Sequence, residues 1–225
     1  MIHHDPADRL ITACFTGHRD IPPAGRASLK NRVYTALLHA YEAGYRVFLC
    51  GGARGFDLLA ASEVIRLRGL YPDVRLVMVI PCATQPDRWP PEEQAQYRSI
   101  LDRADAKEVL SDVYFTGCMQ KRNREMVDAS SLCLCYMTRF QGGTWSTVRY
   151  ALHCSVNLLN LAIPGEENAR MREPSWSSIF ISRSVSGNAR IVRLYPSRRR
   201  RYRRKPIPKR CSVKRTGGSA NLPSR

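Results

Sequence analysis

Two short stretches of the sequence set glycines directly between an apolar run and a segment with helical spacing. They are Gly51-Gly52-Ala53-Arg54-Gly55, with Asp57 just beyond, and Gly142-Gly143-Thr144-Trp145-Ser146-Thr147. Glycine admits positive φ and close approach, so several N–H groups can converge on one anion, and the positive end of the following helix adds attraction. The chemistry on offer is the cradling of a phosphate. Neither stretch is a common nucleotide fingerprint: no G-x-G-x-x-G stands at the first strand-to-helix turn, and no Gly-Lys-Ser/Thr follows. Asp57 suits two roles, a first-turn or capping acid or a partner for a ribose hydroxyl. Thr144 or Ser146 could equally serve as a helix cap. Two such turns in one chain point to a phosphorylated ligand held from two neighbouring helix ends.

Other residues join these by position. The first apolar run closes in Phe15-Thr16-Gly17-His18-Arg19, where Gly17 allows close approach and His18 and Arg19 supply donors for phosphate or carboxylate. A His-Arg pair in a loop is also a common surface feature. The third run ends in Pro81-Cys82, followed by Gln85 and Trp89. A tryptophan there can stack on a base or pack as a lid over its own sheet. The charged run from Lys121 to Asp128 reads first as a solvated helix face, from which Arg122 and Asn123 could still reach a cleft.

The elements that must position these groups alternate regularly. Apolar runs occur at 10–15, 45–50, 74–80, 106–110, 131–137 and 156–163. Most are continuous rather than alternating, as in strands covered on both faces of a parallel sheet. Between them lie helical segments at 26–43, 57–68, 92–103, 117–129 and 144–154, the first two closed by Gly44 and Gly69. The alternation predicts a doubly wound, mainly parallel α/β sheet, Rossmann-like, with helices on both faces. Ligands of such sheets bind beyond the carboxyl ends of the strands, where all the glycine loops fall.

Charge divides the chain. Of a formal +17, residues 1–164 carry 19 Lys and Arg against 16 Asp and Glu, whereas residues 165–225 carry 17 against 3. The expectation is a near-neutral domain over 1–164 and a basic tail over 165–225, with a short hairpin at 179–195 and disorder from about 196. The run PSRRRRYRRKPIPKR at 196–210 has the charge to hold nucleic acid phosphates without reading bases, over roughly 196–215. The eight cysteines form no C-x-x-C pair and read as free thiols. The N-terminus has no signal-peptide pattern and no apolar stretch approaches the ~20 residues of a membrane span, so a cytoplasmic protein is expected.

With the loops in order, the chain resembles the SLOG (SMF/DprA–LOG) superfamily, in its YpsA/YoqJ-like branch. The matching pieces are FTGHR (15–19), GGARGFDLLAAS (51–62), PCATQPDRW (81–89), KRNREMVDAS (121–130) and GGTWSTVRYA (142–151). The resemblance implies a nucleotide or nucleotide-derived ligand, no required cofactor and no metal site. It implies a ligand-binding set of Gly17, His18, Arg19, Gly51, Gly52, Ala53, Gly55, Asp57, Gln85, Trp89, Arg122, Asn123, Asp128, Gly142, Gly143, Thr144 and Thr147. Members resemble sensors or adaptors working through a protein partner, and homodimers are common among them. Phosphoribohydrolases of the superfamily carry a catalytic Glu in GG-x-GT-x-x-E, where this chain has Arg149 or Thr147, depending on how the glycines are aligned. Cleavage of an N-glycosidic bond usually needs such a carboxylate, so binding is expected ahead of catalysis, with Asp57 and Asp128 as the remaining substitutes. A DprA-like DNA-binding role, with the basic tail as anchor, is the reading from a third class.

Overall fold

A computed structural model describes residues 6–163. The hairpin at 179–195, the segment from 196 and the boundary after 164 lie outside the described residues. In chain order the elements are α1 (Pro6–Leu10), β1 (Thr12–Gly17), α2 (Pro23–Glu42), β2 (Val47–Cys50), α3 (Phe56–Arg68) and β3 (Arg75–Ile80). They continue as α4 (Pro91–Arg103), β4 (Ala106–Val109), α5 (Cys118–Asp128), β5 (Leu132–Tyr136), α6 (Gly142–His153) and β6 (Asn157–Asn160). All six strands are parallel, in the order β4-β3-β2-β1-β5-β6. The doubly wound, Rossmann-like fold expected from the alternation is the fold observed.

Strand side chains alternate between two layers, as the period of two requires. Ala13, Phe15, Phe48, Cys50, Leu76, Met78, Leu132 and Leu134 pack beneath α2, α3 and α4. Cys14, Leu49, Val79, Cys133 and Cys135 pack beneath α5 and α6. This division follows from handedness: right-handed crossovers from β1 out to β4 place three helices on one face, and the return to β5 and β6 places two on the other. Each fully buried Phe or Leu contributes about 1.5–3 kcal/mol, so these two layers hold most of the domain's stability. Among the described residues the seven cysteines are free, and no helix is long and apolar enough to cross a membrane.

Local chemistry explains where the element ends depart from expectation. α2 begins at Pro23 rather than 26, because proline at the first helical position loses no hydrogen bond and already has helical φ. α6 begins at Gly142 rather than 144, so both glycines lie inside its first turn. The short α1 had no periodicity to announce it. The Thr12 hydroxyl donates to the Asp8 carbonyl at 2.6 Å and ties this turn to the start of β1.

Candidate functional site

The strand order places the switch point between β1 and β5, because the chain leaves β1 toward β2 and leaves β5 toward β6. The loops that follow these two strands therefore part around a crevice at the carboxyl edge. His18 directly follows β1 at this point. Its N–H donates to the Tyr136 carbonyl at 3.1 Å, and its ring meets Tyr136 edge-on at 6.4 Å. The side chain is 4 % exposed, and its Nε2 finds no hydrogen-bond partner among the described residues. Burial pushes the imidazole down to about 4, with the Arg139 guanidinium acting in the same direction and Asp20 opposing, so the ring is neutral near pH 7. Arg139, from the β5–α6 loop, pairs with Asp20, from the β1–α2 loop, at 3.7 Å across the crevice. Arg19 is exposed at the rim, and among the described residues its side chain makes no hydrogen bond or ion pair.

The turn after β2 is closed upon itself. Arg122, buried on α5, donates Nη1 to the Gly51 carbonyl and lies 3.5 Å from the Val79 carbonyl. The Gln85 amide nitrogen donates to the Gly52 carbonyl at 2.8 Å and to that of Gly51 at 3.4 Å. Two of the turn's own donors are also engaged: Gly52 N–H meets the Cys50 sulfur at 3.4 Å, and Ala53 N–H meets Asp57 Oδ2 at 3.2 Å. A Cβ on Gly51 would overlap the Arg122 guanidinium. Gly55, at φ +76, faces the Arg19 carbonyl at a distance no side chain would tolerate. These glycines make room for protein atoms.

Asp57 is thereby a brace within its own loop. Burial raises its carboxyl to about 6, with the Arg122 guanidinium and the Ala53 N–H countering. The Gln85 amide nitrogen is committed to two carbonyls, and its buried Oε1 finds no hydrogen-bond partner among the described residues. Trp89 packs edge-on against Tyr97 at 5.3 Å and lies against the core, which is the lid role. Gly17 also serves packing, because a Cβ there would collide with the Phe56 ring.

The turn after β5 is open. Gly142, at φ +76, and Gly143 are exposed, and a Cβ on either would meet nothing within 4 Å. Gln141 occupies the N-cap position in extended conformation without a side-chain cap bond. Thr144 is therefore inside the first turn rather than a cap, and it is buried. Thr147 donates to the Gly143 carbonyl at 2.9 Å and accepts from Asn123 Nδ2 at 2.7 Å. An uncapped first turn keeps outward N–H groups and the positive end of the helix available to an anion.

The structure thus gathers Gly17, His18, Arg19, Gly51, Gly52, Ala53, Gly55, Asp57, Gln85, Arg122, Asn123, Gly142, Gly143, Thr144 and Thr147 along the carboxyl edge. Asp128 is the correction. It ends α5, a helix running antiparallel to the strands, so it sits at the opposite edge of the sheet and binds the Tyr150 hydroxyl at 2.8 Å. The motif run 121–130 had suggested a single location, but six residues of helix carry the chain about 9 Å along its axis. Arg139 and Asp20 were missed, although a cation three residues beyond β5 at a switch point is a signal that strand order supplies.

A six-stranded parallel sheet of this order, with helices on both faces, is a Rossmann-like domain. The YpsA family model, described as the YspA SLOG family, matches residues 23–153, and the chain belongs to this family. It is 30% identical over 92 residues to the UPF0398 protein SERP1017 of Staphylococcus epidermidis, a match covering 41% of this chain and 49% of that one. It is 29% identical over 98 residues to the UPF0398 protein BH1768 of Halalkalibacterium halodurans, covering 44% and 52%. The chain spans about half the length of the curated relatives it matches. Among solved structures, DNA processing protein A from Helicobacter pylori, described for its single-stranded DNA binding mode, is similar at a TM-score of 0.48 and 18% identity, covering 66% of this chain and 63% of that one.

Proposed function

We propose that the domain binds a phosphorylated, nucleotide-like small molecule in the crevice between β1 and β5, and acts as a sensor or adaptor that passes this occupancy to a partner. One observation carries the reading: buried His18, with Nε2 unpartnered among the described residues, lies at a switch point within the electrostatic reach of Arg139, and the loop after the neighbouring strand leads to the uncapped start of α6. A buried polar atom without a partner costs about 1–3 kcal/mol, which a ligand can restore. Arg19 and Arg139 supply charge, and the first turn of α6 supplies N–H donors for a phosphate. Binding is favoured over N-glycosidic cleavage because Asp57 is spent on Ala53, Asp128 faces the other edge, and Asp20 at the rim is 87% exposed and paired. Calorimetry of the full chain with a panel of nucleoside mono- and diphosphates tests this. Saturable binding lost in His18→Ala and Arg19→Ala is the expected result. Equal heats from wild type and both folded variants would sink it.

The charge of residues 165–225 favours a second, separate activity, sequence-independent contact with nucleic acid. Its signature is an affinity falling on the order of a thousand-fold between about 50 and 200 mM salt. Fluorescence anisotropy of one labelled oligonucleotide, with the full chain and with the tail arginines replaced by serine, decides it. Binding that survives the replacement would move the contact to the domain.

A further inference from the structure

The two glycine turns belong to loops whose helices lie on opposite layers of the sheet, yet an unbroken series of side-chain hydrogen bonds joins them. Arg122 Nη1 donates to the Gly51 carbonyl, and Arg122 Nε donates to Asn123 Oδ1 at 2.7 Å. Asn123 Nδ2 donates to Thr147 Oγ1 at 2.7 Å, and Thr147 Oγ1 donates to the Gly143 carbonyl at 2.9 Å. On the far side, Gln85 holds the Gly51 and Gly52 carbonyls from the β3–α4 loop. We propose that Asn123 is a positioning residue that couples the β2–α3 turn to the open start of α6 through this series, so that a ligand at one sets the geometry of the other. The ligand half of this statement rests on the site reading above; the coupling itself does not.

The residue types leave little freedom in the direction of the series. Arginine can only donate, so Asn123 must present its carbonyl oxygen to Arg122 and its amide nitrogen to Thr147. The threonine hydroxyl, once it accepts from Asn123, has its single proton left for Gly143. Each member therefore has one arrangement that satisfies its neighbours, and Arg122 is buried where a broken link is costly. Aspartate at 123 has the same shape and keeps a partner for Arg122 but has no donor. The Thr147 proton would turn toward the new carboxylate and leave Gly143. Asn123→Asp thus cuts the series at one defined bond while preserving the packing.

Two measurements on the full chain separate the coupling from the site. Without ligand, amide spectra of wild type, Asn123→Asp, Thr147→Val and the double variant form a cycle. Thr147→Val is expected to move the Arg122 Nε–H resonance and the Gly51 and Gly52 amides, and its shifts are expected not to add to those of Asn123→Asp, because both changes act through the side chain at 123. Gly51 and Gly52 amides that coincide with wild type in Thr147→Val, or shifts that simply add, overturn the coupling. Thr147→Ser, which keeps the hydroxyl, is expected to look like wild type and controls for lost packing. In the second measurement inorganic phosphate is titrated. Asn123→Asp is expected to weaken it about tenfold, and the shifts at Gly143 are expected to stop reaching Gly51. Unchanged affinity with shifts still reaching Gly51 overturns the coupling while the site stands. A wild type that binds no phosphate overturns the site, and the ligand-free cycle still decides the coupling.

Discussion

The turn after β2 and the turn after β5 have the same sequence signature and opposite physical states. Gly51 and Gly52 are buried, with carbonyls held by Arg122 and Gln85, the Gly52 N–H spent on the Cys50 sulfur and the adjacent Ala53 N–H on Asp57. Gly142 and Gly143 are exposed, at the head of a helix with no side-chain cap. A glycine pair between strand and helix therefore marks close approach without saying what approaches. In the first turn it is the protein, and in the second it is solvent or a ligand. The difference comes from what sits opposite: a long arginine from α5 covers the first turn, and nothing in the described residues covers the second.

The largest expected effect tests that contrast directly. Gly51→Ala forces the Arg122 guanidinium off the Gly51 carbonyl, and a buried hydrogen bond from a charged group is worth about 1.5–3 kcal/mol, more where the charge is left without a partner. Gly143→Ala meets open space inside a helix and should be neutral or stabilising by up to about 1 kcal/mol. Urea unfolding of the two variants measures both. Similar losses at the two positions would abolish the distinction between a closed and an open turn.

The next effect is in pH dependence, where the two regions act with opposite sign. Folding lowers His18 from 6.5 to about 4, so the unfolded chain takes the proton first and stability falls as pH drops from 6.5 toward 4. Folding raises Asp57 from 3.8 to about 6, so the folded chain holds the proton longer and stability falls as pH rises from 3.8 toward 6. Each swing is on the order of 3 kcal/mol, and in the wild type they largely offset between pH 4 and 6. Asp57→Asn should therefore gain stability as pH rises through this window, and His18→Gln should lose it. Denaturant titrations at four pH values would show this. Profiles parallel to wild type would mean that neither group is buried as described.

Most of the scaffold was legible because each signal was local. Continuous apolar runs gave the parallel strands and Gly44 the end of α2, whereas the proline that starts α2 at Pro23 was not read and the helix was expected only from 26. The site was legible only as a set of loops. Whether Gly51 faced a ligand or Arg122 depends on a side chain 71 residues away, a contact that no periodicity reports. Trp89 packs against Tyr97, on the helix that directly follows it, a contact that residue type alone does not report. Asp128 was misplaced because a motif is read as one unit, whereas a helix distributes it between two edges of the sheet. Arg139 was overlooked because its significance comes from strand order, which the sequence does not state.

Smaller effects sharpen the comparison at the crevice. Arg139→Ala removes one phosphate donor and a weak exposed pair with Asp20, so it should reduce nucleotide affinity about tenfold with stability within about 0.5 kcal/mol of wild type. Calorimetry and unfolding read the two numbers separately, and a loss of stability without a loss of affinity would assign Arg139 to structure alone. The smallest effect belongs to Asp128→Asn, exposed at the other edge. Its nucleotide affinity should equal that of wild type, and a measurable loss would place the ligand where the geometry does not.

The measurement closest to the central claim is a map of amide shifts as a nucleoside monophosphate is titrated into the full chain. The open-turn site predicts that His18, Arg19, Gly142, Gly143 and Thr144 move first and most. It also predicts that Gly51 to Gly55 follow with smaller shifts carried through Arg122. Largest shifts at Gly51 to Gly55, with Gly142 to Thr144 unmoved, would contradict it and return the ligand to the turn after β2.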